Sequence, residues 1–126
     1  MYEYNAIVDR VVDGDTIDCT IDLGFKTWKK VRVRMEGINT PESRTRDLEE
    51  KERGLAAKAR LQEILEHNDN KCVLQVSGIG KFGRALATVH VTSLSPIPDD
   101  TAITLINVNQ QLITEGHAVS YDGGKR

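Results

Sequence analysis

The stretch TIDCTIDLGFKTWKKVRVRMEG, residues 16–37, decides the fold, because both of its halves alternate between apolar and polar side chains. A period of two is the pattern of a half-buried strand. The segment Leu23–Lys26 between the halves has the composition of a hairpin turn. In the second half the arginines fall on the face opposite the valines, and a register slip of one residue would bury them. The stretch therefore predicts two antiparallel strands with one face in the core.

Further elements can be read outward from this hairpin. Residues 6–12 are rich in β-branched side chains and predict a first strand, and Asp13-Gly14-Asp15 interrupts the pattern. Two later strands are predicted around residues 72–76 and 86–91, and apolar spacings of three and four predict a helix over 48–67. A second helix is predicted over 108–115, with Asn107 as its N-cap. The expected fold class is α+β, mainly β: a five-stranded OB-fold barrel with two helices.

The bulk composition limits the class of protein. The chain has 126 residues, so we expect one domain over 1–126 with its core at about 6–121. Its N-terminus lacks the features of a signal peptide, and no apolar run is long enough to cross a membrane. We therefore expect a cytoplasmic, intracellular protein with no membrane partner, a mature secreted form being the alternative. We also expect a monomer.

Charge and cysteine content narrow the function classes. The net charge is −2 and the pI is near 5.9, which argues against a general nucleic-acid coating protein. A nuclease remains compatible with this charge, since a local arginine cluster can bind phosphate on an otherwise acidic surface. Cys19 and Cys72 are far apart and match neither a zinc site nor a redox pair. We expect two small buried thiols.

Four residues meet the chemical needs of phosphodiester hydrolysis. That reaction needs a cation or metal on the phosphate oxygens, a base to activate water, and stabilisation of the charge that develops. Carboxylate and carbonyl oxygens suit hard cations such as Ca²⁺, and arginine binds phosphate in a bidentate manner. The candidates, all at strand ends or in adjoining loops, are Asp15, Arg34, Glu42 and Arg84.

Each candidate also has a simpler structural interpretation. Asp13 and Asp15 flank a glycine and fit an ordinary turn. Arg32 and Arg34 lie on the polar face of a strand and fit solvated cross-strand partners. From the residue pattern alone, a nuclease is therefore only one of several open interpretations.

Four segments of the chain resemble the staphylococcal nuclease (thermonuclease) family, and they occur in that family's order. Each segment alone is moderately specific, and together they span about residues 8–121. The segments are VVDGDT (11–16), VRVRMEGINTPE (31–42), KFGRALA (81–87) and VNQQLITEGHA (108–118). The resemblance implies an OB-fold barrel that hydrolyses DNA and RNA with Ca²⁺ and leaves 3′-phosphate ends.

The resemblance also implies roles for ten residues. Metal binding would involve Asp15, Asn39 and the backbone carbonyl of Thr40, with Asp13 near the metal. Arg34 and Arg84 would clamp the phosphate, and Glu42 would activate the attacking water. Nucleotide contacts would come from Lys81, Phe82 and Tyr121, with Phe82 replacing a tyrosine that is common in the family.

Asn39 is the main departure, because the family's second metal-binding aspartate aligns with it. An amide oxygen still ligates Ca²⁺, but one negative charge is lost, so we expect a weaker site. The predicted function is a Ca²⁺-dependent phosphodiesterase that acts on DNA or RNA, preferably single-stranded or denatured. The first alternative is a catalytically weak or inactive OB-fold module that binds single-stranded nucleic acid. The second is a structural barrel that binds a protein partner.

Overall fold

The computed structural model describes residues 2–80, 83–94 and 105–122. Three long strands come first, followed by a short strand, a long helix and two further long strands; the last part contains two short strands and a short helix. In chain order the elements are β1 (Tyr2–Asp13), β2 (Thr16–Asp22), β3 (Trp28–Met35), β4 (Ile38–Asn39), α1 (Leu48–Glu66), β5 (Lys71–Ile79), β6 (Ala85–Val91), β7 (Ile106–Asn107), α2 (Val108–Thr114) and β8 (Val119–Ser120).

Five of these strands form a closed barrel. Antiparallel pairing gives the order β3-β2-β1-β5-β6, and β3 and β6 close the barrel by parallel pairing. In that closing pair, Val33 lies opposite Ala85 and Met35 opposite Ala87. Closure satisfies the backbone groups of what would otherwise be sheet edges. The predicted OB-fold barrel with two helices is confirmed for the described residues.

The first strand is longer than its apolar pattern suggested. It begins at Tyr2 instead of residue 6, because its first half pairs with β5 while its second half pairs with β2. A register irregularity between Val8 and Arg10 lies near the change of partner. The polar residues that precede Ala6 are not buried, so a search for apolar alternation misses this part of the strand.

Both predicted helices are present and end one residue early. The Asp47 carboxylate accepts hydrogen bonds from the N–H groups of Glu49 and Glu50 and caps α1. Asn107 caps α2 by accepting a 3.0 Å hydrogen bond from the N–H of Gln110, which confirms the predicted N-cap. Neither helix within the described residues is long and apolar enough to span a membrane.

The barrel interior is filled by aliphatic side chains, together with the apolar face of α1. Cys19 and Cys72 are both free and buried in this core, as predicted. Hydrogen bonding to the Cys72 thiol and burial both raise the pKa of Cys19, so this thiol stays protonated and unreactive. The largest fully buried side chains are Ile17, Met35, Ile38, Leu61, Ile64, Leu65, Leu74 and Leu112.

Candidate active site

A cavity of about 620 Å³ lies at the end of the barrel where β1 and β3 end. Its walls come from the β1–β2 turn, residues 39–42, the first half of α1 and residues 116–119. Most of the residues that the sequence singled out line this cavity: Asp13, Asp15, Arg34, Asn39, Thr40, Glu42 and Arg84. Groups from six separate parts of the chain therefore converge on one space.

Three predicted nucleotide contacts are not placed in this cavity. Lys81 and Phe82 lie outside the described residues. Tyr121 is half-buried, and its backbone N–H donates a 2.8 Å hydrogen bond to the carbonyl of Gly37. This contact fixes the main chain of Tyr121 beside the cavity. The side chain is not among the described groups that line the wall, so its role remains a prediction.

The carboxylate of Asp15 is buried and held in place by its neighbours. Its Oδ2 accepts a 3.0 Å hydrogen bond from the backbone N–H of Thr40, and its Oδ1 accepts one of 2.9 Å from the hydroxyl of Thr16. The Nη2 of Arg34 lies 3.5 Å from Oδ2. A buried carboxylate needs such partners, since an unpaired charge in the interior is costly. Asp15 thus joins the β1–β2 turn to the loop after β4.

Arg34 is held in place by several hydrogen bonds. Its Nη1 donates to the backbone carbonyls of Met35, at 2.9 Å, and Asp15, at 3.5 Å. Its Nη2 donates to Oδ1 of Asn39 at 3.2 Å. Only 15% of the side chain is exposed, so the guanidinium has little freedom. A guanidinium held in this way is already ordered before any anion arrives.

Arg84 reaches the same cavity from the other side of the barrel closure. It directly precedes β6, whose first residue, Ala85, pairs with Val33 near the end of β3. The parallel closure therefore brings Arg84 to the end of the barrel that holds Arg34. Both guanidinium groups belong to the wall of one cavity.

Glu42 lies in a loop that hydrogen bonds hold to Asp13 and to helix α1. The Glu42 residue is exposed, while the next residue, Ser43, is buried and donates a hydrogen bond from its hydroxyl to Oδ1 of Asp13. The backbone N–H of Glu42 donates a 3.4 Å hydrogen bond to Oε1 of Glu50 in α1. Asp13 thus holds the loop that carries Glu42, a role that the turn composition alone did not reveal.

The same loop lies directly on helix α1 at Gly54. A Cβ on Gly54 would collide with the backbone carbonyl of Glu42 and lie 2.7 Å from the N of Ser43. Such distances do not occur for real side chains, so only glycine permits this approach of loop and helix. Sequence reasoning missed Gly54, although a glycine inside a helical pattern was the available signal.

A known protein family matches most of this chain. The profile of the family described as "Staphylococcal nuclease homologue" matches residues 32–125, which is most of the chain. The chain belongs to the staphylococcal nuclease family. The matched range includes Arg34, Glu42 and Arg84 of the cavity wall.

A curated relative is similar in sequence over nearly the whole chain. Over 120 residues, this nuclease-family chain is 30% identical to "Protein ParB" of Escherichia coli, and the match covers 94% of the chain. It covers 58% of the relative, so the chain spans little more than half of that protein's length. The likeness therefore concerns one region of the relative.

The oxygen donors at the site of this family member fit a hard cation. Asp15 supplies a carboxylate, and Asn39 and Thr40 supply neutral oxygens, which is the ligand chemistry of Ca²⁺. The Oγ1 of Thr40 is buried and has no hydrogen-bond partner among the residues that the structure describes. Within the described residues, no cluster of three or more His, Cys, Asp or Glu side chains could hold a metal. The donor set thus carries a single carboxylate.

One wall of this nuclease-family site was not predicted from the sequence. Residues 116–119 line it, and Val119 pairs with Asn39 in the two-stranded β4–β8 ladder. The half-buried His117 belongs to this wall. Two-residue strands leave no periodic signal in the sequence, so nothing indicated that Asn39 would be held by residues 80 positions away.

An ion pair anchors that wall to α1. The Arg60 guanidinium donates to both carboxylate oxygens of Glu115, at 2.6 and 2.9 Å, and Gln111 adds a third hydrogen bond of 2.7 Å. The Arg60 hydrogen bonds are the main reason that the pKa of Glu115 falls to about 2. Glu115 immediately precedes the wall residues, so this pair fixes where the wall begins.

Proposed function

We propose that the chain is a Ca²⁺-dependent phosphodiesterase that hydrolyses DNA or RNA, preferably single-stranded or denatured, and leaves 3′-phosphate ends. The observation that carries the proposal is the meeting of Arg34, Arg84 and Glu42 around the single cavity that also holds the buried Asp15. Membership of the staphylococcal nuclease family supports it.

In this proposal, Arg34 and Arg84 bind the phosphate. Arg34 is held by the carbonyl of Met35 and the amide oxygen of Asn39, so it meets the phosphate without first losing side-chain freedom. Arg84 lies in the wall formed by the start of β6, so two cations can act on different oxygens of one phosphate. Their interaction strengthens as negative charge builds up on those oxygens, which lowers the barrier.

Glu42 is the base of the proposed reaction. Its carboxylate is exposed at the rim of the cavity, where water has access, and its loop is held by Ser43 and Gly54. It accepts a proton from a water molecule as the water oxygen attacks phosphorus. The bond from phosphorus to the 5′-oxygen breaks, and that oxygen takes a proton from solvent. The phosphate stays on the 3′ side.

Calcium would be held by Asp15, Asn39 and the backbone carbonyl of Thr40, and it would neutralise charge on the bound phosphate. Asp15 is oriented for this purpose by the N–H of Thr40 and the hydroxyl of Thr16. Asn39 offers an oxygen without a charge. We therefore propose a Ca²⁺ requirement at the weak end of the range for such sites.

The deciding experiment is cleavage of denatured DNA while Ca²⁺ is raised from micromolar to tens of millimolar. We expect cleavage that saturates at high Ca²⁺ and disappears in Glu42→Gln. End-labelled products should carry a 3′-phosphate, which blocks extension by a polymerase until a phosphatase removes it. The proposal is wrong if purified protein cleaves neither DNA nor RNA at any Ca²⁺ concentration.

A second candidate is a binding module without catalysis. The neutral Asn39 favours it, and so does Trp28, which is 52% exposed and available to stack on a base. This candidate predicts that oligonucleotides bind equally well to the parent and to Glu42→Gln, with no product formed by either. The cleavage experiment separates the two candidates directly.

A further inference from the structure

The turn between β2 and β3 has an unusual backbone. Its ends are joined by hydrogen bonds of 2.9 Å from Leu23 N–H to the Thr27 carbonyl and from Thr27 N–H to the Gly24 carbonyl. Gly24, Phe25 and Lys26 have φ values of 81°, 53° and 60° in succession. Glycine adopts this left-handed conformation without strain, whereas a phenylalanine there is a genuine outlier. We call residues 23–30 the β2–β3 tip.

The strained residue contributes nothing to the core. Phe25 is fully exposed, at 102% of its reference area, and Leu23 and Trp28 beside it are 43% and 52% exposed. Folding therefore gains no burial from Phe25 and bears the strain of its backbone. Strained and exposed apolar residues are found where a protein binds something.

The charge of the β2–β3 tip indicates what it binds. Residues 23–34 contain five Lys or Arg and no Asp or Glu, in a chain whose net charge is −2. Lys26, Lys29 and Lys30 make no ion pair with any described residue. The nearby carboxylates are engaged, since Asp18 pairs with Arg32 and Asp22 accepts a hydrogen bond from the N–H of Gly24. The tip is thus both apolar and cationic.

The tip lies on the strand that leads to the cavity. Trp28 and Arg34 are both even-numbered positions of β3, so their side chains emerge on the same face. Six residues of strand separate them by roughly 20 Å. A single strand whose phosphate lies at Arg34 can follow β3 and reach the tip with the nucleotides that flank the cleaved bond.

We propose that the β2–β3 tip is a second nucleic-acid contact, which holds the single-stranded flank of the substrate away from the cavity. A base stacks on Phe25 or Trp28, and the backbone phosphates lie near Lys26 and Lys30. Single-strand binding by OB folds combines aromatic stacking with a cationic groove in this way. The proposal rests on the proposed nuclease function only for the role of the bound strand. Binding itself does not require catalysis.

Phe25→Gly is a sharp variant for testing this contact. Glycine relieves the positive φ at position 25, so the variant should melt at the same temperature as the parent or higher. Binding is measured in the Glu42→Gln background with a fluorescent single strand of about 12 nucleotides, a length within OB-fold site sizes. Trp28, the only tryptophan, reports contact at the tip through its own emission.

We expect Phe25→Gly to weaken binding of the long strand about fivefold or more, while Phe25→Tyr, which keeps the ring, retains it. Binding of a dinucleotide should not change. The double variant Lys26→Gln/Lys30→Gln should weaken long-strand binding more than Lys51→Gln/Lys58→Gln. The latter removes the same charge from helix α1.

Three results would overturn the proposal. The first is unchanged long-strand binding in Phe25→Gly. The second is an equal loss in the two double-lysine variants, which would reflect net charge only. The third is that Phe25→Gly binds vesicles of anionic phospholipid more weakly than the parent but binds oligonucleotides equally well. That result would assign the tip to a lipid surface.

The outcome is separable from that of the proposed function. Tip-dependent binding without cleavage in the parent would support the second contact and reject the nuclease. If the parent and Phe25→Gly cleave long strands with equal efficiency, and dinucleotides as efficiently as long strands, the nuclease is supported and the second contact is rejected.

Discussion

The Nη2 of Arg34 donates a 3.2 Å hydrogen bond to Oδ1 of Asn39. This contact orients the side-chain amide, since a guanidinium only donates and the amide oxygen is the only acceptor of the Asn39 side chain. Asn39 therefore presents oxygen where an aspartate would, and the second lone pair of that oxygen remains for a cation. The substitution of a neutral residue changes the charge of the site and leaves its shape.

Asn39→Asp should strengthen Ca²⁺ binding. It adds a charged ligand without adding volume, and ligand charge is a principal determinant of Ca²⁺ affinity, so we expect a gain on the order of tenfold. Calorimetric titration of Ca²⁺ measures this without reference to activity. Asn39→Ala is the matched control and should lose binding. Equal affinities in all three proteins would show that position 39 does not contact the cation.

Arg84→Ala should reduce kcat by about 10²–10³-fold with a smaller change in KM. The reason is that the guanidinium acts mainly on charge that develops in the transition state. Steady-state cleavage of a single-stranded oligonucleotide measures both constants. Arg10→Ala removes an exposed arginine that does not line the cavity and serves as the control. Unchanged turnover in Arg84→Ala would reject the assigned role.

Glu42→Gln should abolish general-base catalysis, a loss of about 10²–10⁴-fold in kcat. Its melting temperature should match that of the parent, because the residue is exposed. Paired cleavage and thermal-denaturation measurements test both statements. Glu50→Gln, which neutralises the carboxylate that accepts the N–H of Glu42, should have a much smaller effect. A fall in activity that tracks a fall in stability would mean that Glu42 acts structurally.

Gly54→Ala should lower activity although alanine is ordinarily the better helix former by about 1 kcal/mol. The added Cβ forces apart α1 and the loop of Glu42 and Ser43, so the base moves away from the cavity. Cleavage assays on Gly54→Ala, with the exposed Leu55→Ala as control, measure the effect. Full activity in Gly54→Ala would show that the loop position tolerates such a shift.

The ion pair between Arg60 and Glu115 should make stability depend on acid pH. The pKa of Glu115 is about 2 in the folded chain and 4.5 in the reference state, so its contribution is complete above pH 4.5 and is lost as the pH falls towards 2. The ion pair therefore contributes at most about 3 kcal/mol to the free energy of unfolding. Solvent screening lowers this value, because about a fifth of each side chain is exposed.

Denaturant unfolding of the parent and of Glu115→Gln across that pH range measures this contribution. The two should differ most near neutral pH and converge at about pH 2. A difference that stays constant with pH would assign the effect to packing instead of charge. Glu63→Gln, which removes the more exposed partner of Arg60, is the comparison variant.

The strands and the cysteines could be predicted because their signals are local. Alternation around Cys19 and Val33 showed which side chains face the core, and the structure buries both. The site residues came from motif resemblance, and seven of the ten line one cavity. Alternation failed at Tyr2–Asn5, where the pairing with β5 and not an apolar face maintains the strand.

The contacts that fix the site could not be predicted from local patterns. The bond from Ser43 to Asp13, the contact of Gly54 with the Glu42 loop and the pairing of Asn39 with Val119 each join separate segments. No periodicity within either segment encodes such a meeting. These contacts depend on how the barrel and α1 pack, which propensity and spacing do not specify.

The parallel closure of the barrel also determines at which stage of folding the cavity residues come together. Val33 and Ala85 lie about fifty residues apart along the chain, so their pairing carries a large entropic cost of loop closure. Such non-local pairings form slowly during folding. Arg34 and Arg84 line one cavity only after that pairing has formed. On the proposed function, a nascent or partly unfolded chain holds every catalytic side chain yet is harmless to nearby nucleic acid. On that proposal, catalytic competence depends on a long-range pairing of the barrel and not only on the presence of the side chains.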